Sequence, residues 1–391
     1  MKITGVKTLA YPYTSQRPLA DANFPYGQKE WAHLAVAITT DEGLTGTAIT
    51  LPAAEQMIHR LAPLLHGQDP RGVRGLWKRL VDHVFKSGNR GVASEAIAGL
   101  DLALWDLKAK CNAEPLYRTL GASNPRVKAY ASEIGLCLSN DEIRFFYEEM
   151  AGLGISAGKL KVGLDQESDL IRLAVMRDAL AKSGERVELA IDSNEYWSAK
   201  EAIRRIKEIE CEFSLLWAEE PAGRWDARGL KKVSDSIQAA VASGENLKDV
   251  PEFVPHFMAG SMDIVEIGNY TSGITGALHV AELAYAFEIP VCVMNTPGNF
   301  MGHFAAALPN HMMIEIVNAG MEVGFTVDHE IKDGWLIPGE SPGLGITFDG
   351  GIMDKLEQQD SAPKQQFIMP GRREAAGLYV VPPGKSDADP R

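Results

Sequence analysis

The chain has 391 residues, of which 45% are hydrophobic and 23% are charged, and its net charge is −13. These values are typical of a globular protein with a large core and room for two domains. The acidic balance argues against nucleic acid or an anionic membrane as the main partner, and no apolar run is long enough to predict a membrane-spanning helix.

The N-terminal 50 residues predict β-strands. Apolar and polar residues alternate over 2–13 and 31–50, and an Asp-Glu-Gly turn signal lies inside the second stretch. We expect the polar stretch 15–30 to form a loop, because it contains both Pro and Gly. Residues 54–120 predict helices, and 94–111 predict an amphipathic helix with Ser94 as its N-cap. Together these stretches predict an α+β N-terminal unit.

From residue 126 onward, short apolar stretches alternate with helical ones. This rhythm predicts parallel βαβ units, and eight such strands close into a (β/α)8-type barrel with its reacting groups at the carboxyl ends of the strands. The alternative is an open doubly wound sheet, which the absence of a Gly-x-Gly-x-x-Gly motif after the first strand disfavours. The predicted strands cover residues 127–134, 158–163, 187–194, 215–221, 239–246, 263–269, 290–295 and 312–317.

The C-terminal part of the chain differs again. Residues 332–350 are rich in turn residues and predict short strands. From about residue 360 the chain is rich in Pro and in charged residues, and we expect an extended surface arm there. The chain thus divides into residues 1–125, 126–330 and 331–391.

Four cysteines, Cys111, Cys137, Cys211 and Cys292, are scattered along the chain without a Cys-x-x-Cys pair. This pattern favours reduced, buried thiols over disulfides or a zinc site. Residues 1–18 also lack the apolar core of a signal peptide. We therefore expect a cytoplasmic protein.

Two lysines, Lys159 and Lys161, lie inside the apolar run AGKLKVGLD at residues 157–165. In a strand both side chains point to the same side, so their ammonium groups repel each other. Such a pair by itself is typical of an exposed strand edge with solvated lysines. If the face is buried instead, we expect the pKa of at least one lysine to fall.

Charged residues end four successive predicted strands: Lys161, Asp192, Glu219 and Glu245, spaced 31, 27 and 26 residues apart. Each spacing is one strand–helix period, so we expect the four side chains to face one mouth of the barrel. A single acidic strand end is usually a cap or turn residue, but three converging carboxylates repel each other unless a cation lies between them. Oxygen ligands select a hard cation, and we predict Mg²⁺.

This arrangement predicts the role of Lys161. A divalent cation and the ammonium group of Lys159 both lower the pKa of Lys161, so we expect a neutral amine near neutral pH. A neutral lysine beside a cation-bound carboxylate suits removal of a proton alpha to a carboxylate, because the cation offsets the second negative charge of the enediolate.

Six short motifs follow one another in a familiar order: KLK (159–161), DSN (192–194), AEEP (218–221), SGE (243–245), SGITGA (272–277) and PGLGI (342–346). With the helical stretch 96–122 before them, they make nearly the whole chain resemble the mandelate racemase/muconate lactonizing enzyme branch of the enolase superfamily. The resemblance implies an α+β capping domain over a modified (β/α)7β barrel, with a C-terminal segment that returns to the capping domain. It also implies Mg²⁺ held by Asp192, Glu219 and Glu245, with Glu219 favoured over its neighbour Glu220.

The chain departs from that branch at the second catalytic group. Relatives usually carry an acid or base opposite the lysine, at the end of strand six alone or shared with a histidine after strand seven. Gly268 takes the first position here, and Asn295 or Met294 the second, and none of these exchanges a proton at neutral pH. His303 could replace them, but its place at a helix start predicts packing or capping.

A single base favours an Mg²⁺-dependent dehydratase, that is a lyase, of an acid sugar or a similar hydroxy-carboxylate. The alternatives are a racemase or epimerase that recruits His303, a cycloisomerase, and a catalytically silent metal-binding relative. In each case the expected partner is a small-molecule carboxylate, and the expected assembly is a homo-oligomer, a dimer or an octamer.

The predicted catalytic residues are Lys161 and Lys159, and the predicted substrate contacts are Asn194, Asn295, Glu315 and Tyr26. Lys159 is expected to hold the substrate carboxylate by its charge, and Asn194 to hydrogen-bond the substrate or Lys159. In relatives a glutamate at the end of strand eight touches the substrate carboxylate, and a structural acceptor role for Glu315 is the equal alternative.

The stretch 18–31 is expected to reach over the barrel mouth as a lid, with Phe24, Tyr26 and Trp31 as contacts; a surface loop packed on the cap is the alternative. Glu266 lies deeper on strand six, where a buried ion pair is the plain interpretation.

Overall fold

The computed structural model describes residues 1–359, so the predicted arm from residue 360 lies outside the described residues. The chain begins with an antiparallel sheet of β1 (Ile3–Leu19), β2 (Gln28–Thr40) and β3 (Thr45–Thr50), in that order. The loop predicted over residues 15–30 is wrong in extent. Strand pairing resumes after an irregularity beyond Thr14, and Leu19 pairs with Gln28, so the connection covers only 20–27.

Four helices follow the sheet: α1 (Glu55–Leu61), α2 (Val73–His83), α3 (Val92–Cys111) and α4 (Leu116–Thr119). The N-cap of α3 is Gly91, and Ser94 is buried inside the helix, so the predicted cap is wrong. The predicted amphipathic character of α3 is also wrong, because its residues are buried on nearly every side. The reason is its position: it packs on β3 and on a helix of the barrel.

Eight parallel strands form a closed barrel, because the last pairs with the first. They are β4 (Val127–Ser132), β5 (Ala157–Lys161), β6 (Glu188–Asp192), β7 (Leu215–Glu219), β8 (Ala240–Ser243), β9 (Ile264–Ile267), β10 (Val291–Val293) and β11 (His311–Ile316). The helices between them are α5 (Asn140–Gly152), α6 (Gln166–Leu180), α7 (Ala199–Glu210), α8 (Ala227–Ser234), α9 (Val250–Ala259), α10 (Gly273–Ala286) and α11 (Gly302–Ala306). The predicted (β/α)7β barrel with an α+β N-terminal unit is confirmed.

The chain ends its described part with β12 (Phe325–Val327), β13 (His329–Lys332), β14 (Trp335–Pro338), β15 (Ile346–Phe348) and α12 (Gly350–Glu357). The hairpin β13–β14 extends the barrel sheet, because β14 pairs antiparallel with β4. Helix α12 instead packs on β1, where Lys7 Nζ donates to the carbonyl of Glu357 at 2.8 Å. The segment after residue 330 therefore contacts both the barrel and the N-terminal sheet.

The interior of the barrel is filled by one apolar layer, with members such as Tyr130, Trp217, Cys292 and Met313. Because side chains alternate along a strand, residues two positions further on also point inward, toward the carboxyl ends. This places charged side chains directly above an apolar floor.

Two further expectations are decided by the fold. In residues 1–359 all four cysteines are free, but only Cys292 is buried, and Cys137 and Cys211 are exposed, so the expectation of buried thiols is wrong for those two. No helix in the described part of the chain is long and apolar enough to cross a membrane.

Candidate active site

The predicted strand-end residues meet at one barrel mouth. Lys161 is paired with Asp192 across β5 and β6, and Asp192 with Glu219 across β6 and β7, so all three lie at one height. All three are buried, and Glu245, two residues beyond β8, is partly buried. The parallel register of the barrel thus brings together groups that lie 26 to 31 residues apart in the sequence.

Lys159 is fully enclosed by carboxylates. Its Nζ lies 2.5 Å from Glu219 Oε1, 3.1 Å from Glu315 Oε1 and 3.5 Å from Asp192 Oδ2. Burial acts to lower the pKa of Lys159, but Glu219 and Glu315 outweigh it and raise the pKa well above its usual value. The interpretation of solvated lysines on a strand edge is therefore wrong.

Lys161 sits one layer nearer the mouth. Its Nζ lies 2.5 Å from Asp192 Oδ2 and donates to Asn194 Oδ1 at 2.7 Å. Burial and Lys159 act to lower the pKa of Lys161, but the carboxylate of Asp192 outweighs them, and the pKa is raised. Without a bound cation, the expected fall in the pKa of at least one lysine is wrong, because each ammonium group directly contacts a carboxylate.

Burial and the two lysines also shift the pKa values of the carboxylates. Burial raises the pKa of Glu219 well above its usual value and raises that of Glu245, although Lys159 and Lys161 respectively oppose it. For Asp192 burial also acts upward, but Lys161 and Lys159 outweigh it and its pKa is lowered. Glu219 is additionally fixed by Trp217, whose Nε1 donates to Oε2 at 3.0 Å.

Glu220 is a second buried carboxylate next to Glu219. Its backbone has φ +40°, which turns the chain beyond the end of β7 so that both neighbours are enclosed. Asn246 Nδ2 donates to Glu220 Oε1 at 3.0 Å and to Glu245 Oε1 at 3.2 Å, which places these two carboxylates side by side. Glu220 therefore also lies at the mouth, although the family resemblance favours Glu219 as the ligand.

The donor set at this mouth fits a hard divalent cation. It consists of carboxylate oxygens from Asp192, Glu219, Glu220 and Glu245, and at least two of these groups carry raised pKa values that a nearby positive charge would relieve. In residues 1–359 no three acidic, histidine or cysteine side chains are grouped closely enough to hold a metal ion as they stand. Glu219 points to Lys159 and Trp217, so binding would require its carboxylate to turn.

The position directly after strand six, opposite Lys161, is apolar. Strand six lies four strands from strand two in the ring of eight, and Gly268 follows it. A Cβ atom at Gly268 would lie 2.3 Å from Met294 Cγ, so the Met294 side chain fills the space where relatives carry an acid or base. Asn295 does not fill it, because its amide donates to Glu315 Oε2 at 2.9 Å.

His303 lies away from the mouth, in α11. It is 1% exposed, its ring stacks on Tyr117, and its Nδ1 accepts from the Tyr117 backbone N–H at 3.3 Å. Burial lowers the pKa of His303 to about 4. The predicted packing role is confirmed.

The remaining predicted residues have mixed outcomes. Asn194 Oδ1 accepts from Lys161 rather than from Lys159. Glu315 forms an ion pair with Lys159 and accepts from Asn295 Nδ2, as a structural acceptor would. Tyr26 is 89% exposed, so the structure does not bring it to the site. Trp31 lies in β2 and not in the loop.

Glu266 does not form the ion pair expected of it. It is fully buried, and neither carboxylate oxygen has a hydrogen-bond partner in residues 1–359. Burial raises the pKa of Glu266 to about 8, against the opposing effect of Lys159. It is therefore a buried carboxyl group without a hydrogen-bond partner, one layer above the apolar floor of the barrel.

Sequence reasoning missed Glu133, which follows the first barrel strand. Its Oε1 accepts from the Lys161 backbone N–H at 3.1 Å, and its Oε2 accepts from Tyr147 Oη at 2.6 Å. The same signal that identified the other carboxylates, an acidic residue directly after a strand, applied to it. Lys248 and Tyr270, which lie beyond strands five and six, were missed as well.

Comparisons with known proteins agree with this geometry. Residues 4–121 match the family model "Mandelate racemase / muconate lactonizing enzyme, N-terminal domain", and residues 143–352 match "Enolase C-terminal domain-like". D-galactonate dehydratase from Ralstonia nicotianae is 30% identical over 356 residues, with 83% of this chain and 91% of the relative covered.

Two further relatives are named for different reactions, one a cycloisomerase and the other a dehydratase. 3,6-anhydro-alpha-L-galactonate cycloisomerase from Streptomyces coelicolor is 28% identical, with 83% of this chain and 91% of the relative covered. The crystal structure of L-talarate dehydratase from Polaromonas sp. JS666, in complex with Mg and L-glucarate, superposes with a TM-score of 0.81 at 29% identity, covering 90% of this chain and 96% of that one.

Proposed function

The chain belongs to the mandelate racemase/muconate lactonizing enzyme family, and from this premise we propose that it is an Mg²⁺-dependent dehydratase of an acid sugar. The reaction removes the proton alpha to the substrate carboxylate and expels the β-hydroxyl as water. Relatives of both dehydratase and cycloisomerase type exist at similar identity, and the reaction product distinguishes the two.

One observation favours a dehydratase over a racemase or epimerase. Lys161 is the base candidate on one side of the mouth, and the opposite side presents Gly268 covered by Met294. A racemase or epimerase needs a group on each face of the alpha carbon, whereas a dehydratase needs one base and a route for the hydroxyl. The burial of His303 against Tyr117 supports a packing role for it rather than that of a second acid or base.

The residues divide the work as follows. The neutral amine of Lys161 takes the alpha proton on its Nζ. Asp192 raises the pKa of Lys161 in the protein alone, and a cation bound to Asp192 would lower that pKa toward neutral pH. Asn194 Oδ1 and the hydrogen bond from the Lys161 backbone N–H to Glu133 hold the lysine in place. The departing β-hydroxyl receives that same proton from Lys161 in a syn elimination, or a proton from water. The C–H and C–O bonds break as the C=C bond forms, so the enol of a 2-keto acid and water are the products.

Asp192, Glu219 and Glu245 would hold the Mg²⁺ ion, with Glu220 as the competing ligand. When bound, the ion supplies positive charge that offsets the charge developing on the substrate carboxylate. A catalytically silent relative would need neither the buried lysine pair nor the buried carboxylates, whose enclosure is unfavourable for folding.

The proposal also includes the location, the assembly and the substrate class. We propose a cytoplasmic homo-oligomer, a dimer or an octamer, that acts on a small-molecule carboxylate. The free cysteines in residues 1–359 support a cytoplasmic location. The name of the relative D-galactonate dehydratase supports an acid sugar as substrate. Neither nucleic acid nor a membrane is proposed as a partner.

The test is proton NMR of reactions in D₂O with a panel of acid sugars. We expect a 2-keto-3-deoxy product, and recovered substrate that carries deuterium at the alpha carbon with its original configuration. Lys161→Ala should slow this exchange by about 10²–10⁴-fold or more, the usual effect of removing a positioned base.

His303→Asn is the matched control, and it should leave the alpha-proton exchange nearly intact. A deuterated epimer of the substrate would overturn the one-base proposal, because it requires protonation of the opposite face. Loss of that epimer in His303→Asn would assign the second group to His303.

A further inference from the structure

Lys248 is a lysine near the site that the proposed mechanism does not use. It lies in the loop between β8 and α9, three residues after Glu245, and its side chain is partly buried. Its backbone carbonyl accepts from Ser94 Oγ of α3 at 3.5 Å. Lys248 therefore sits between the barrel mouth and the N-terminal domain that covers it.

The charge of Lys248 is not compensated by an ion pair within residues 1–359. Its Nζ makes one hydrogen bond, to the carbonyl oxygen of Glu245 at 3.4 Å, and lies 5.8 Å from the ring centroid of Tyr270. Glu245 and Glu95 are its nearest carboxylate influences, and Arg224 is a neighbouring cation. An ammonium has three donors, so two of those on Lys248 are open to a ligand.

Polar groups of strand six lie beside it. Asn269 and Tyr270 come after Gly268 in the loop that follows β9. Asn269 is 1% exposed, and its Oδ1 has no hydrogen-bond partner among the described residues. A buried acceptor without a partner is costly, so this amide is a candidate for a ligand hydroxyl or an ordered water.

In the order of the strands around the ring, this group lies on the side away from Lys161. Lys161 ends strand two, whereas Lys248 and Tyr270 follow strands five and six of the ring of eight. A substrate whose reacting end lies at Lys161 and the carboxylates would direct its far end toward Lys248. The ammonium group of Lys248, which has no ion-pair partner in residues 1–359, matches a second anionic group at the end of the ligand away from the reacting centre.

Resting on the proposed function, we propose that Lys248, Tyr270 and Asn269 form a subsite for a second carboxylate at the far end of the substrate. The enzyme then acts on dicarboxylic sugar acids in preference to monocarboxylic ones. An ammonium with a phenol beside it binds a carboxylate by a charge-assisted hydrogen bond, whereas a terminal hydroxyl leaves the ammonium charge uncompensated.

The experiment measures binding apart from turnover. In a Lys161→Ala background with Mg²⁺ present, calorimetry compares L-glucarate, a dicarboxylate, with D-galactonate, a monocarboxylate. Lys248→Met should weaken L-glucarate binding at least about tenfold and change D-galactonate binding by less than about threefold, since only the former loses a charge-assisted bond. Lys248→Arg should retain most of the preference.

Lys232→Met is the control, because Lys232 lies on α8 on the outside of the barrel and should change neither affinity. Equal losses for both ligands in Lys248→Met, or no loss for either, would overturn the subsite. Dehydration of D-galactonate but not of L-glucarate by the unmodified protein would also overturn it and leave the proposed function standing. Absence of alpha-proton exchange with every acid sugar would instead contradict the proposed function.

Discussion

Single residues decide which oxygen atoms meet a cation at this barrel mouth. Glu219 and Glu220 are adjacent, both are 1% exposed, and the φ of +40° at Glu220 lets both point inward. Glu219 contacts Lys159 and Trp217, whereas Glu220 shares Asn246 with Glu245. The family pattern favours Glu219 as the ligand, and the contacts make Glu220 its rival.

We predict that Glu219→Gln lowers Mg²⁺ affinity more than about 100-fold and abolishes turnover, because it removes a ligand. Glu220→Gln should cost no more than about 10-fold, in the lower range for residues that orient ligands. Calorimetric titration of Mg²⁺ measures both, with circular dichroism to confirm folding. A larger loss in Glu220→Gln would assign the ligand to Glu220, and activity in EDTA would reject the metal site altogether.

Among the elements, α3 ties the N-terminal domain to strand six. Asp101 of α3 accepts from the Thr275 backbone N–H at 2.8 Å and from Thr275 Oγ1 at 2.6 Å, at the start of α10. Trp105 Nε1 of α3 donates to the same Thr275 Oγ1 at 2.9 Å. A buried carboxylate at the first turn of α10 also complements the positive end of that helix. The loop that carries Gly268 and Tyr270 is thereby held at one end.

We predict that Asp101→Ala lowers the free energy of unfolding by about 1–3 kcal/mol, because it leaves the Thr275 donors buried without an acceptor. Asp101→Asn should cost less, since its amide oxygen can still accept. Urea denaturation measures both variants. Asp235→Ala, at an exposed ion pair with Lys231, is the control and should cost less than about 1 kcal/mol.

The same carboxylate predicts a pH dependence. Burial raises the pKa of Asp101 to about 7, whereas the unfolded value is near 3.8. Between these values the folded state binds the proton more tightly, so the contribution of Asp101 to stability falls as pH rises from about 4 through 7. Asp101→Asn should remove this slope. If the slope of stability against pH is the same in Asp101→Asn as in the unmodified protein, Asp101 is ionised in the folded state.

At the scale of the whole molecule, Arg17 joins the N-terminal sheet to the barrel. From β1 it donates to the backbone carbonyls of Glu133, Val317 and Asn318, which follow strands one and eight. Its guanidinium also lies 4.3 Å from the ring centroid of Phe146. These bonds fix the covering domain at the seam where the barrel closes, next to Lys161 and Glu315.

We predict that Arg17→Met lowers the free energy of unfolding by about 2–4 kcal/mol, because three carbonyl groups lose a charged donor. Hydrogen exchange should also become faster in residues 130–137 and 315–320 than in the distant helices. Arg71→Met, at an exposed ion pair with Asp69, is the control. Faster exchange spread evenly over the barrel would contradict a local role at the seam.

The sequence by itself determined the architecture and the chemistry of the strand ends. Strand period, helix period and turn residues are local properties, so the eight strands, their helices and their order could be predicted from the chain alone. The carboxylates and lysines at equal heights also followed, because a parallel barrel repeats its period along the chain. The absence of a base at Gly268 was visible in the same way.

Only the tertiary structure decided what those side chains contact. The raised pKa of Lys161 depends on a 2.5 Å approach to Asp192, and the packing of His303 on Tyr117 joins residues 186 positions apart. Ser94 failed as a cap and α3 failed as an amphipathic helix because burial on both sides comes from neighbours distant in the chain. The enclosure of Glu220 depends on its backbone angle φ. The position of Lys248 on the side of the strand ring away from Lys161 depends on closure of the barrel. Such contacts are set by the packing of whole elements, and no local pattern records them.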